Sequence, residues 1–411
     1  MAAIGAGARL WRQFDWLLLL ALTGILAISL ACIFSVTHNT AHRDDLAQQF
    51  LMIWPALALA LVLAGYGYEW LRPTARIIYA LNLILLVAVM VAGHSALGAQ
   101  RWIGIAGFRF QPSEFAKLAL IITLAKVLSE KNVHSPEGIF TVLATVGVPF
   151  ILIFKQPDLG TSLVYGAIAV GMLFWAGMPA SAVLKLATPL VSVVLYFAGF
   201  GWWILYLLAL GVFLAWTRKQ NWALPLGIWV VNAVAGIAAT RVWDLLKEYQ
   251  KRRILTFLNP EADPLGSGYH VIQSKIAIGS GGLWGKGLLH GTQTQLHFIP
   301  EQHTDFIFSV VGEELGFAGG FALLLLYAIY IGRGVAIAHQ ASNAFGSLLA
   351  IGIVTMMLFH VVVNVGMATG LLPVVGIPLP LMSYGRTALI TNLLAFGLLE
   401  AVAMRRKKIL F

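Results

Sequence analysis

Apolar runs close to the ~20 residues that cross a bilayer recur along almost the whole chain and constrain it more than any other feature. They fall at about 15–36, 50–68, 76–93, 112–129, 138–154, 160–177, 182–199, 202–216, 222–244, 304–331, 344–369 and 382–403, twelve segments in all. Charged residues make up only 11% of the 411-residue chain, against about 25% in a typical soluble domain, too little polar surface to cover a water-soluble protein of this size. The expected fold is therefore all-α, a polytopic transmembrane helical bundle. It is expected to be a single integral membrane domain, 1–411, with a long extracytoplasmic loop at 245–303.

The formal charge of +10 does not point to nucleic acid, because the basic residues sit between apolar runs and at the ends. From a cytoplasmic N-terminus with Arg9 and Arg12, the pairs Arg72/Arg76, Lys126/Lys131 and Arg218/Lys219, then Arg333 and the tail Arg405–Lys408, all fall inside. That is the positive-inside pattern, and it makes both termini cytoplasmic. Lys251, Arg252 and Arg253 fall outside, in a loop long enough for the charge rule to weaken. The single Cys32 excludes an intramolecular disulfide and a cysteine metal cluster.

Three loops on the same expected side carry the irregular backbone: "HSALGAQRWIGIAGFRF", the Gly-rich 245–303 segment, and "GLLPVVGIPLP". Function concentrates where such backbone meets a bundle. Glu114 and Lys117, at i and i+3 after Pro112, share a helix face. Two readings stand for them, a structural ion pair or the polar wall of a cavity. Asp158 in "KQPDLGTS" has the spacing of a helix cap. Asp305 in "HTDFIF" stands at an expected helix start, where the dipole stabilises an acid and keeps it ionised, so it reads as a cap or as a general base or cation ligand. His360 and Asn364, at i and i+4, lack a third metal partner and suit interhelical hydrogen bonds.

The stretches "RWIGIAGFRFQPSEFAKL", "KQPDLGTSL", "DPLGSGYHVIQSKIAIGSGGLWGKGLLHGTQTQLHFIPEQHTDFIF", "GEELGF" and "PLPLMSYGR" come in the order found in the SEDS family and span most of the chain from residue 97 on. The chain resembles these membrane glycosyltransferases, which polymerise the lipid-linked precursor of bacterial cell wall. The resemblance implies an enzyme of the bacterial cytoplasmic (inner) membrane that acts on lipid II and a growing glycan strand. It implies assembly with a class B penicillin-binding protein, the transpeptidase of an elongation complex. Asp305 matches the family's essential loop aspartate, its proposed catalytic carboxylate, and Glu114 and Lys117 match the polar pair of its central cavity. Trp102, Arg109 and Asp158 match further functional positions, Ser383 lies in the "SYGR" motif, and these four with Arg101, Glu114, Lys117 and Lys275 are the expected substrate-binding residues. Two departures stand out: about forty extra residues read as an added hairpin near 182–216, and Arg386 follows Gly385 where the family has a second glycine.

The implied chemistry is an inverting displacement in which Asp305 takes a proton from a sugar hydroxyl while a lipid diphosphate leaves. Arg101, Arg109, Lys117, Lys275 or a divalent cation, Mg²⁺ or Mn²⁺ with Asp305 as ligand, would stabilise the leaving group. The rival readings are a lipid flippase and a non-catalytic scaffold for the transpeptidase.

Overall fold

The computed structural model describes residues 11–38, 40, 43–92, 94–96, 99–105, 108–132, 135–156, 158–217, 223–245, 251 and 268–406. The chain divides into two compact units, residues 1–176 with 253–411, and residues 177–252. The chain leaves the first unit, builds the second, and returns.

The larger unit holds α1 (Trp16–Thr37), α2 (Arg43–Tyr66), α3 (Leu71–Ala92), α4 (Pro112–Glu130), α5 (Pro136–Lys155) and α6 (Leu159–Trp175) from its first part. Its second part gives α10 (Tyr269–Ser280), α11 (Thr292–Gln295), α12 (Ile307–Glu314), α13 (Gly316–Gln340), α14 (Ala344–Ala368) and α15 (Arg386–Ala403); α7, α8 and α9 belong to the smaller unit. Side chains mark several helix starts. Asp15 accepts from the Leu18 N–H, Ser135 from Gly138, Asp158 from Thr161 and Asn343 from Gly346, each satisfying a donor that the first turn leaves free. Pro112 opens α4, where its missing N–H costs nothing.

Among the described residues, nine helices are long and apolar enough to cross a membrane. Two shorter apolar helices, Leu159–Trp175 and Pro225–Arg241, accompany them. The chain is thus a multi-pass membrane protein. Of the nine, α14 and α15 are the most enclosed by protein; α14 packs against α4, α6 and α13, and α15 against α2.

Two local expectations are corrected. The run 304–331 is not one span: α12 stops at Glu314, and α13 starts at Gly316, whose φ of +66° breaks the helix. The segment 281–287 plugs this break, with Lys286 N–H donating to Glu313 O at 3.0 Å and Phe317 N–H to Gly282 O at 2.9 Å. The approach is so close that a Cβ on Gly285 would lie 2.1 Å from Glu314 O. Residues 94–110, expected as an irregular loop, contain the antiparallel strands β1 (His94–Ala96), β2 (Ala99–Ile105) and β3 (Phe108–Phe110), in that order. The aromatic Trp102 and the β-branched Ile103 and Ile105 in "RWIGI" suit a strand.

The smaller unit is a three-helix cluster of α7 (Ala180–Ala198), α8 (Phe200–Thr217) and α9 (Ala223–Leu245). The expected hairpin is α7 and α8, joined at Gly199, and α9 packs on both. Asn232 is fully buried among them. It donates to Thr188 Oγ1 at 2.9 Å, accepts from the Tyr206 hydroxyl at 3.0 Å, and its carbonyl accepts from Ser192 Oγ at 2.7 Å.

Candidate active site

Asp305 lies in a turn, residues 301–306, and not at a helix start. Phe306, the next residue, takes the position before α12 and gives no side-chain cap. Its own N–H donates to Glu301 O at 3.1 Å, and its side chain is half-buried.

Three successive carbonyls of this turn are bonded from outside it. Tyr384 N–H donates to His303 O at 2.9 Å. Ser383 Oγ donates to Thr304 O at 2.5 Å and accepts from the Leu379 N–H at 2.8 Å. Asn364 Nδ2, on α14, donates to Asp305 O at 2.9 Å and to Ile377 O at 2.8 Å. The backbone under the carboxylate is therefore clamped by the 377–384 segment and by a helix.

One turn before Asn364 on the same face of α14 stands His360. Its Nδ1–H donates to Met356 O at 2.7 Å, which leaves Nε2 as the acceptor facing Lys117 Nζ at 3.2 Å. The other donors of Lys117 reach both oxygens of Glu114, at 2.8 and 2.9 Å. Glu114 and Lys117 are 4% and 3% exposed, so the pair is buried and all three ammonium hydrogens are used. The geometry is that of a buried ion pair between Glu114 and Lys117, and His360 joins it from α14, an interhelical contact of the kind its spacing suggested.

The remaining candidates separate. Asp158 is buried and caps α6 through the Thr161 N–H at 3.2 Å. The same helix start reaches the 375–377 segment, since a Cβ on Gly160 would lie 2.6 Å from Val375 O. Asp158 thus stands at the Asp305 end of the bundle. Lys275 is exposed on α10. Its stem packs where a Cβ on Gly370 would be 3.2 Å from Cδ, just beyond the C-terminus of α14. The neighbouring Ser274 locks α10 to α14 and α12, bonding Ala368 O and Ser309 Oγ, each at 2.5 Å. Trp102, on β2, is partly exposed and its backbone is registered with His94. Arg109 is registered with Gly104, and the side chains of Arg101 and Arg109 lie outside the described residues. Arg386 is the first residue of α15 and half-buried. Among the described residues no group of three or more His, Cys, Asp or Glu is placed to hold a metal ion.

Two glutamates singled out only as part of a motif prove to be structural anchors. The fully buried Glu313 carboxylate accepts from Lys286 Nζ at 2.8 Å, the Gln293 and Thr294 N–H groups at 2.9 Å, and Thr294 Oγ1 at 2.7 Å. Burial pushes its pKa up, but these donors outweigh that and hold it below the ordinary value. Glu314 accepts from Ser35 Oγ at 2.6 Å. Burial dominates there and, with the neighbouring Glu313 charge, raises its pKa. No periodicity in the sequence separates the two, because the difference lies in which loop folds over each.

Residues 10–203 and 191–408 match the family of cell cycle proteins that groups FtsW, RodA and SpoVE. The chain is 38% identical over 400 residues to the peptidoglycan glycosyltransferase MrdB of Escherichia coli K12, covering 96% of this chain and 95% of that one. It is 36% identical over 436 residues to the peptidoglycan glycosyltransferase RodA of Treponema pallidum, covering 96% and 98%. Among solved structures it matches a chain of a peptidoglycan synthase complex that coordinates polymerization and crosslinking. There the TM-score is 0.73 at 32% identity, over 95% of this chain and 97% of that one. It also matches the rod shape determining protein RodA of Thermus thermophilus, with a TM-score of 0.64 at 26% identity over 96% and 98%. With a family match over nearly its whole length and relatives above 30% identity, the chain belongs to the SEDS family of FtsW, RodA and SpoVE proteins.

Proposed function

We propose that this protein is a peptidoglycan glycosyltransferase that polymerises lipid II into glycan strands during cell elongation, with Asp305 as its catalytic carboxylate. The observation that carries the reading is the clamp on the Asp305 turn: three consecutive carbonyls fixed from outside hold one half-buried carboxylate in place. Full-length relatives named peptidoglycan glycosyltransferases support it.

In the proposed reaction the Asp305 carboxylate accepts the proton of the acceptor sugar hydroxyl as that oxygen bonds to the anomeric carbon of the donor. The bond from that carbon to the diphosphate oxygen breaks, and undecaprenyl diphosphate leaves with the electron pair. A single displacement inverts the anomeric carbon, and one carboxylate suffices. Lys275, exposed at the same end, is favoured over Lys117 as a cation for the diphosphate, because Lys117 already uses its three donors. Arg101, Arg109 and Trp102 are proposed to line the substrate path from the strands. Asp305 is also the residue that would hold a Mg²⁺ or Mn²⁺ ion. A lone carboxylate plus substrate phosphates is a common mode for Mg²⁺, and the ion would supply charge neutralisation at the diphosphate.

The transpeptidase partner is proposed to be a class B penicillin-binding protein, in line with the synthase complex that the fold matches. The membrane is proposed to be the bacterial inner membrane, with both termini cytoplasmic. The test is polymerisation of fluorescent lipid II by the purified protein, with its partner's transpeptidase inactivated. Glycan strands from wild type and none from folded Asp305→Asn support the reading. Equal strands from both overturn Asp305 as the base. None from either, where a known polymerase works, returns the protein to a flippase or scaffold.

A further inference from the structure

We infer that Asn364 is a positioning residue for the proposed reaction, fixing where the Asp305 carboxylate stands relative to the bundle; the inference rests on Asp305 being the catalytic carboxylate. Asn364 is fully buried, and both its partners, Asp305 O and Ile377 O, are carbonyls. Only the amide nitrogen can serve two acceptors, so the chemistry fixes the orientation of the side chain.

The bonds to the turn are not equivalent. Ser383 and Tyr384 tie it to another non-helical segment. That segment has its own anchors, with the Tyr327 hydroxyl donating to Pro380 O at 2.5 Å and Ser29 Oγ to Met382 O at 2.6 Å. Asn364 instead bonds the carbonyl of Asp305 itself, from an enclosed 25-residue helix. Four residues earlier the same helix holds Lys117 through His360. One rigid element therefore carries both the carboxylate turn and the buried ion pair. Loss of Asn364 would let the turn move by a fraction of an ångström to an ångström without removing any reacting group.

The test compares Asn364→Leu, which keeps the branched outline and removes both donations, with Asn364→Ser, which is smaller and keeps one donor on a shorter arm. Lipid II polymerisation is measured in parallel with thermal unfolding. The expected result for a folded Asn364→Leu is a kcat lower by roughly 10–100-fold, with KM for lipid II within about threefold. Asn364→Ser is expected to fall between it and wild type. In an Asp305→Glu background, whose carboxylate is already displaced, Asn364→Leu is expected to cost much less than it does alone. Wild-type kcat in a folded variant, a loss confined to KM, or losses that simply multiply would each overturn the inference. Where Asn364→Leu fails to fold, Asn364→Ser carries the same test. Full activity in Asp305→Ala would instead sink the underlying reading, a result distinguishable because it does not involve Asn364.

Discussion

Ser383 and Asn364 take adjacent carbonyls of one turn, those of Thr304 and Asp305, from two different elements. Ser383, carried into the site as a substrate contact by its motif, has its hydroxyl engaged on both sides, donating to Thr304 O and accepting from Leu379 N–H. Ser383→Ala is therefore expected to lower stability by about 1–2 kcal/mol and to reduce kcat with little change in KM. Steady-state kinetics on lipid II checks this. A rise in KM alone would restore the substrate-contact role.

Breaking the buried ion pair should cost more than removing it. Glu114→Gln or Lys117→Met alone leaves a buried charge unpaired and is expected to destabilise by about 3–5 kcal/mol. The double variant is expected to lose less than either single one, because no charge remains. Thermal unfolding of the three variants in detergent decides it.

The neighbouring glutamates should respond to pH with opposite sign. The depressed pKa of Glu313 gives stability that is present above its unfolded value, near 4.5, and is lost as pH falls through the lower folded value. Glu313→Gln should thus be costly at pH 7, and its penalty should shrink in acid. The raised pKa of Glu314 works the other way: its ionisation opposes folding as pH rises through the folded value. Glu314→Gln should be neutral or stabilising at pH 7 and lose that advantage near pH 4. Unfolding midpoints of both variants from pH 4 to 8 check this, and parallel curves would refute it.

Gly285 has φ of +81°, and a Cβ there would collide with Glu314 O. Gly285→Ala is expected to cost about 2–5 kcal/mol, summing the left-handed penalty and the overpacking. Faster hydrogen exchange over 281–295 should accompany it. Unchanged exchange would show that the plug in the α12–α13 break adapts.

In the smaller unit, Asn232→Leu should remove an interhelical network worth about 0.6–1.7 kcal/mol and leave polymerisation intact. Exchange rates in α7, α8 and α9, measured beside activity, test both halves. Lost activity without local loosening would give this unit a role in catalysis.

The run of apolar segments, the cap at Asp158 and the ion pair at Glu114 and Lys117 were legible in the sequence, because each rests on contacts within a few residues along one helix. Asp305 was legible as a residue, through its motif. Its conformation was not. A Thr-Asp pair before an apolar run has the pattern of a helix start, yet donors from Asn364, Ser383 and Tyr384, 59 to 81 residues away, hold the stretch as a turn. The break at Gly316 was hidden for the same reason: a glycine inside an apolar run is often tolerated in a helix, and only segment 281–287, inserted against it, makes the interruption stable. Hydrophobic period and local capping act over one or two turns and are written in order along the chain. Hydrogen bonds between distant segments depend on which of them meet, and that was decided by tertiary structure alone.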